Sequence, residues 1–463
     1  MVRPVFFDPT GRRRRRVRQG FLAALLVLLF AAVVFASTVL EVPAPAPLPI
    51  GYERLAPLPF RAQVSRLKHR FTRLFAGHPA ASAASGHPLT IAFYTSWTDD
   101  STPSLARHID QIDWVAPTLL GINSAGQLQV TDDPPLRRVV ANSLHHPLVV
   151  PVIQNAAGGK WDGAAAAALM HDPRRRTALI GGIADYLGRT GDAGIMFDFE
   201  NLPDSSLPDL VKLVDEAHAA LAPRGKLVSV TMPIDSPIWP ARALARAADK
   251  LVLMAYDEHW QGGEAGPIAS EGWFAERMTA TMRGVPTTKV VAALGNYGYD
   301  WHDGHADALT DEEAWLAARD SATMPTFVPA AGNAGFSYSD ENNHRHDVWM
   351  LDAAASWNQL QQLRRMGIQN VGLWRLGSED PGFWTVLADW RANRTHTSLE
   401  RISSGENVDV EGNGEILRVA AQPHTGQRAL AFDPRTHLIT HETYAELPTP
   451  YVVQRTGARP RLV

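Results

Sequence analysis

No cysteine occurs in the 463 residues of the chain. Thiol nucleophiles, Cys-based metal sites and disulfide staples are therefore excluded, and stability must come from a buried core, which a chain of this length can supply. A domain-wide excess of positive charge is also missing. The 44 Lys and Arg are outweighed by 48 Asp and Glu, for a net charge of -4, and this balance argues against a nucleic-acid partner. No Gly-rich phosphate loop follows the first predicted strand, where the sequence runs Thr95-Ser-Trp-Thr-Asp-Asp100, so a dinucleotide-binding sheet is disfavoured. No cofactor and no metal are expected. His302 with His305, and His344 with His346, read more simply as surface-loop histidines than as ligands. Asn393-Arg-Thr395 matches a glycosylation sequon, a short and common pattern.

Positive charge is concentrated instead at the N-terminus. Arg12 to Arg16 form an unbroken run, followed from Phe21 to Val39 by a stretch without any charge. About 20 apolar residues suffice for a membrane-spanning helix, and a basic flank holds that end in the cytoplasm. The expectation is a cytoplasmic basic segment (1–20), a transmembrane anchor (21–40) and a Pro/Ala-rich stalk (41–86). The chain would be a single-pass protein of the cell inner membrane, with the remainder in the periplasm or outside the cell. A secretory signal cleaved after Ala36 is the alternative.

From residue 87 short apolar strands alternate with helical periodicity. Strands are predicted at 89–94, 113–120, 147–153, 194–200, 226–232, 250–256, 289–294 and 368–374. Helices are predicted at 175–189, 207–221 and 356–366. Eight such units in an α/β chain fit a (β/α)8 TIM barrel over 87–390, with a doubly wound open sheet as the alternative. A long insertion between the seventh and eighth strands, with short strands near 335–339 and 348–351, should form one wall of a groove. Residues 398–463 lose helical periodicity and read as a small β-rich extension or linker.

The most informative stretch is Gly194-Ile-Met-Phe-Asp-Phe-Glu200. Side chains alternate along a strand, so Met196, Asp198 and Glu200 share one face while Ile195, Phe197 and Phe199 share the other. Two acids at a strand's C-terminal end lie where parallel barrels build active sites. Close carboxylates cannot both ionise freely, which makes one of them a candidate general acid. A solvated acidic strand edge is the plain alternative. The 13 tryptophans also invite attention, because flat rings stack on the apolar faces of sugars. Trp97 and Trp260, just past strand ends, are candidates for this, as is Tyr297 after the seventh strand.

These residues resemble glycoside hydrolase family 18, the chitinase-like enzymes, and more narrowly its spore-cortex-lytic and peptidoglycan branch. That family's fourth strand ends in D-G-x-D-x-D-x-E. Its last two acids match Asp198 and Glu200, and its first two aspartates fall on Ala193 and Met196. Met254-Ala-Tyr256-Asp257 is similar to the family's M-x-Y-D, and Trp374 to a Trp that floors the bound sugar. The resemblance covers about 89–385. The chain also looks like the N-terminal part of bacterial membrane proteins that fuse such a domain to a polysaccharide deacetylase and a glycosyltransferase, which would be partners.

The resemblance implies a polysaccharide substrate with 2-acetamido sugars and a substrate-assisted reaction. Glu200 would be the general acid and base, Asp198 and Tyr256 would orient the acetamido group, and Asp257, Met254 and Trp374 would hold the sugar. A thioether at Met196 cannot share a proton with Asp198, and is expected to raise the Asp198 pKa by desolvation and to lower activity. The competing expectation is a non-catalytic glycan-binding or scaffolding domain. An ordinary two-carboxylate glycosidase is a weaker third.

Overall fold

The computed structural model describes residues 88–397, except Ser124 and Gly158, together with 428–444. Eight parallel strands close into a barrel, with the first paired to both the second and the last. The staves, in chain order, are Thr90–Tyr94, Trp114–Ile122, Val152–Gln154, Gly194–Asp198, Leu227–Pro233, Lys250–Met254, Val290–Gly295 and Val371–Trp374. Each matches a strand read from the sequence. Before the third stave, Leu148–Val149 pairs separately with the second. Pro151 stands between the two pieces, a residue that cannot donate a ladder hydrogen bond.

Continuous apolar staves are explained by burial on both faces. Ile195 and Phe197 face outward into the large core shared with the surrounding helices, including Leu210, Leu213 and Val214 of Leu207–Leu221. Met196 faces inward, into a separate apolar cluster with Ile91, Phe93, Ala116, Val152, Val252 and Val291. The lumen is thus plugged by side chains in layers, as small barrels require. The helices Pro173–Thr190, Leu207–Leu221 and Ala353–Arg365 fall where periodicity placed them. The first begins on an Asp172 side chain that accepts from the Arg174 amide and stops at Gly191 in the left-handed conformation.

The insertion before the last stave is larger in β structure than two short strands. It forms a five-stranded antiparallel sheet from Gly298–His302, His305–Leu309, Thr326–Val328, Asn333–Ser339 and Arg345–Met350. The helix Asp311–Asp320 accompanies it and opens on a Thr310/Glu313 capping box. Of the expected β-rich extension, the described part is a hairpin, Arg428–Phe432 with Ile439–Tyr444. It is tied to the helix Ala353–Arg365 through Asn358, which bonds both the amide and the carbonyl of Ile439.

The expected inner-membrane location is corrected. Among the described residues no helix is long and apolar enough to cross a membrane. The longest of them, Pro173–Thr190, has 18 residues but carries Arg174, Arg175, Arg176, Asp185 and Arg189, charges that a bilayer core excludes. The segments 1–20, 21–40 and 41–86 lie outside the described residues.

Candidate active site

The site begins with the register of three neighbouring staves. Val152 pairs with Met196, and Met196 with Ser229; two residues on, Gln154 pairs with Asp198. Thr231 follows directly after the Phe197–Val230 pair. Period-2 alternation therefore stacks two lumen layers, Val152–Met196–Ser229 below and Gln154–Asp198–Thr231 above. Both oxygens of Asp198 are consequently occupied: Gln154 Nε2 donates at 2.8 Å and Thr231 Oγ1 donates at 2.6 Å. Asp198 is only 4% exposed. Burial raises its pKa, and the two donated hydrogen bonds offset that only in part.

Glu200 lies just past the end of the fourth stave. Its backbone is clamped by Asn155, whose Oδ1 accepts from the Glu200 amide at 2.9 Å and whose Nδ2 donates to the Glu200 carbonyl at 2.8 Å. Burial pushes the Glu200 carboxyl up to about 8, with like-charge repulsion from Asp198 and then Asp257 adding to it. A carboxylic acid that keeps its proton near neutral pH is suited to general-acid work.

Tyr256 and Asp257 arrive from the end of the sixth stave. Tyr256 is half-buried. Its phenol is held well above the usual range by burial and by the fields of Asp198, Asp257 and Glu200, so these four groups converge. Asp257 has φ 65°, a left-handed turn that Asp tolerates better than most residues. Its Oδ1 accepts from the hydroxyls of Tyr297 and, at 3.2 Å, Tyr299. Burial nevertheless raises Asp257 to about 6.

Gly295, at the end of the seventh stave, makes room for this packing. A Cβ there would lie 2.7 Å from the Tyr297 ring and 3.0 Å from the Tyr256 Cβ. Trp374 closes the other side. Its ring stacks on Tyr256 at 6.4 Å and meets Phe93 edge-on at 5.4 Å, and the Trp374–Arg375 peptide is cis.

The structure therefore brings Asp198, Glu200, Tyr256, Asp257, Tyr297 and Trp374 together at the C-terminal mouth of the barrel. Met254 ends the sixth stave, half-buried, beside Pro233 and Ala293. Trp97 and Trp260 follow the first and sixth staves and are 62% and 55% exposed. Among the described residues no ring contact joins them to the cluster. Gly262 lies so close under the Trp260 indole that a Cβ would come within 2.4 Å of it. Sequence reasoning missed Gln154, Asn155, Thr231 and Tyr299. For Gln154 and Asn155 the one available signal was a polar residue where an apolar stave ends; Thr231 lies inside its stave.

No family model matches the chain. The uncharacterized glycosylase YvbX of Bacillus subtilis is 23% identical over 308 residues, covering 64% of this chain and 89% of that protein. The cortical fragment-lytic enzyme of Bacillus subtilis is 25% identical over 236 residues, covering 48% of this chain and 55% of that one. Among solved structures, the Bacillus cereus spore cortex-lytic enzyme SleL superposes with a TM-score of 0.60 at 21% identity, over 65% of this chain and 74% of that one. A chitinase from Chromobacterium violaceum gives 0.61 at 22% identity, over 66% and 100%. In fold the chain is similar to the chitinase-like glycosidases of glycoside hydrolase family 18, as its sequence implied.

Proposed function

We propose that the chain hydrolyses β-linked N-acetylhexosamine polymers, peptidoglycan glycan or chitin-like, by substrate-assisted retaining catalysis. The observation that carries this reading is the convergence of Glu200, poised with its proton, on Asp198 and Tyr256 in the barrel mouth. Glu200 protonates the glycosidic oxygen. The substrate's own acetamido oxygen attacks C1 as the leaving group departs, so no protein nucleophile is needed. Asp198 accepts from the acetamido N–H, and its anchoring by Gln154 and Thr231 fixes the carboxylate without reorganisation during the reaction.

Tyr256 donates to the acetamido oxygen as it closes on C1. Glu200, now ionised, takes the proton of the water that opens the cyclic intermediate. Trp374 is the floor on which the sugar rests, Asp257 and Met254 border it, and Tyr297 holds Asp257. Trp97 and Trp260 offer exposed faces to neighbouring sugars of the polymer. With Met196 below it, Asp198 has no acid on that side with which to share a proton, and a lowered turnover is expected.

The test is product analysis on a panel of N-acetylated glycans, comparing wild type with Glu200→Gln. The expected result is release of β-configured oligosaccharides by wild type and a loss of at least about 10³-fold in kcat for the variant. Tight binding of the same glycans without turnover in either protein would instead identify a scaffolding domain.

A further inference from the structure

We propose that the tip of the hairpin Gly298–His302/His305–Leu309 binds a first-row divalent transition metal, zinc being the reference ion, through His302, His305 and Asp307. The site lies on the insertion sheet and does not depend on the glycosidase reading. Its origin is register. His302 pairs directly with His305, and Asp300 with Asp307, so the four side chains share one face of the ribbon. The intervening pair, Trp301 with Ala306, faces the other way, into the cluster containing Tyr297 and Tyr299. The turn Asp303-Gly304 has φ 49° and 77°, the mirror-image two-residue turn that sets such a register firmly.

His302 is oriented from beneath. Its ring stacks on His346 at 4.5 Å. Asp300 holds Nδ1 of that His346 at 2.9 Å and also accepts from Tyr338 at 2.8 Å. The stack fixes the plane of the His302 ring, and its own Nδ1 faces Asp303 Oδ2 at 3.6 Å, the side on which a metal-bound imidazole takes an outer carboxylate. His302 Nε2 lies 3.2 Å from Asp307 Oδ2, the His305 ring is 4.2 Å from that of His302, and the three donor atoms all fall within 4.8 Å of one another.

A tetrahedral zinc with bonds near 2.0–2.1 Å places its donors about 3.4 Å apart. The His302–Asp307 pair already has that spacing, and only the exposed His305 has to swing inward. Two imidazoles with one carboxylate select Zn, Ni or Cu over Mg or Ca. Bound there, the metal would pin the end of the hairpin whose opposite face carries Tyr299 and Trp301.

The experiment uses untagged full-length protein stripped with EDTA. Zn²⁺ is titrated by calorimetry, metal per chain is counted by mass spectrometry, and Co²⁺ absorption reports the ligand field. One equivalent per chain is expected. Affinity should weaken tenfold or more in both His305→Ala and Asp307→Asn, and stay at the wild-type value in His145→Ala/His146→Ala, which removes two exposed histidines elsewhere. No stoichiometric binding by wild type, or wild-type affinity in both ligand variants, would overturn the proposal. His305 and Asp307 are exposed, so both variants should melt like wild type in EDTA. The wild-type Co²⁺ spectrum tests the site without any substitution, since absent tetrahedral bands would also count against it.

Discussion

Two layers of one barrel lumen, a single strand period apart, differ sharply in character. The lower layer, around Met196 with Val152 and Val252, is apolar but for the buried Ser229 hydroxyl. The upper layer, with the residues just above it, holds Asp198, Glu200, Tyr256 and Asp257. For all four titratable groups burial is the largest cause of a raised pKa. The apolar layer is one wall of the dry surroundings that favour the protonated form of an acid in the mouth.

The sharpest way to break that contrast is to put charge into the lower layer. Met196→Asp should cost about 3 kcal/mol of stability at neutral pH, because an ionised carboxylate there lacks water and a cation. Its folded-state pKa would lie above its unfolded value. The folded state then binds the extra proton, and the loss should grow from pH 5 to pH 7.5. Urea unfolding at the two pH values measures this, and a pH-independent loss would show that water reaches the layer.

A smaller effect is expected from thinning the polar support above. Thr231→Val removes one donor from a buried carboxylate, about 1.5–2 kcal/mol for a charged acceptor, and should lower kcat more than tenfold with little change in KM. Steady-state kinetics decide it.

The pH profile sharpens the same comparison. Glu200 is raised to about 8, so its acid form is present below that value and lost above it. kcat/KM should fall about tenfold per pH unit beyond pH 8. A fall beginning near pH 5 would mean that the floor does not desolvate the acid. The smallest effect belongs to the exposed rim: Trp260→Ala should raise KM about fivefold on long oligomers, about 1 kcal/mol, and leave the melting temperature unchanged.

The staves were legible in the sequence because each is a run of apolar residues bounded by helical periodicity. Parity alone placed Met196 and Asp198 on one face and Phe197 on the other; the structure makes the first face the lumen. The anchors Gln154, Asn155 and Thr231 were not legible. Their partners lie 33 to 45 residues away in the chain, and only the barrel's register makes them neighbours. The insertion was half legible. Its strands near 335 and 348 stood out, but the hairpin at 303–304 was overlooked although Asp-Gly between alternating residues is a strong turn signal. The N-terminal apolar run was legible as a pattern, yet the location inferred from it was not upheld among the described residues.

Asn155 grips the peptide units on both sides of the Glu200 α-carbon, and its own carbonyl accepts from the Asp162 amide at 2.9 Å. Between those two points the chain makes the small ribbon of Ala156–Ala157 with Lys160–Trp161. The acid is therefore moored to a neighbouring loop as well as to its own strand. The position of the Glu200 backbone is thus tied to where that ribbon sits, and a shift of one carries the other.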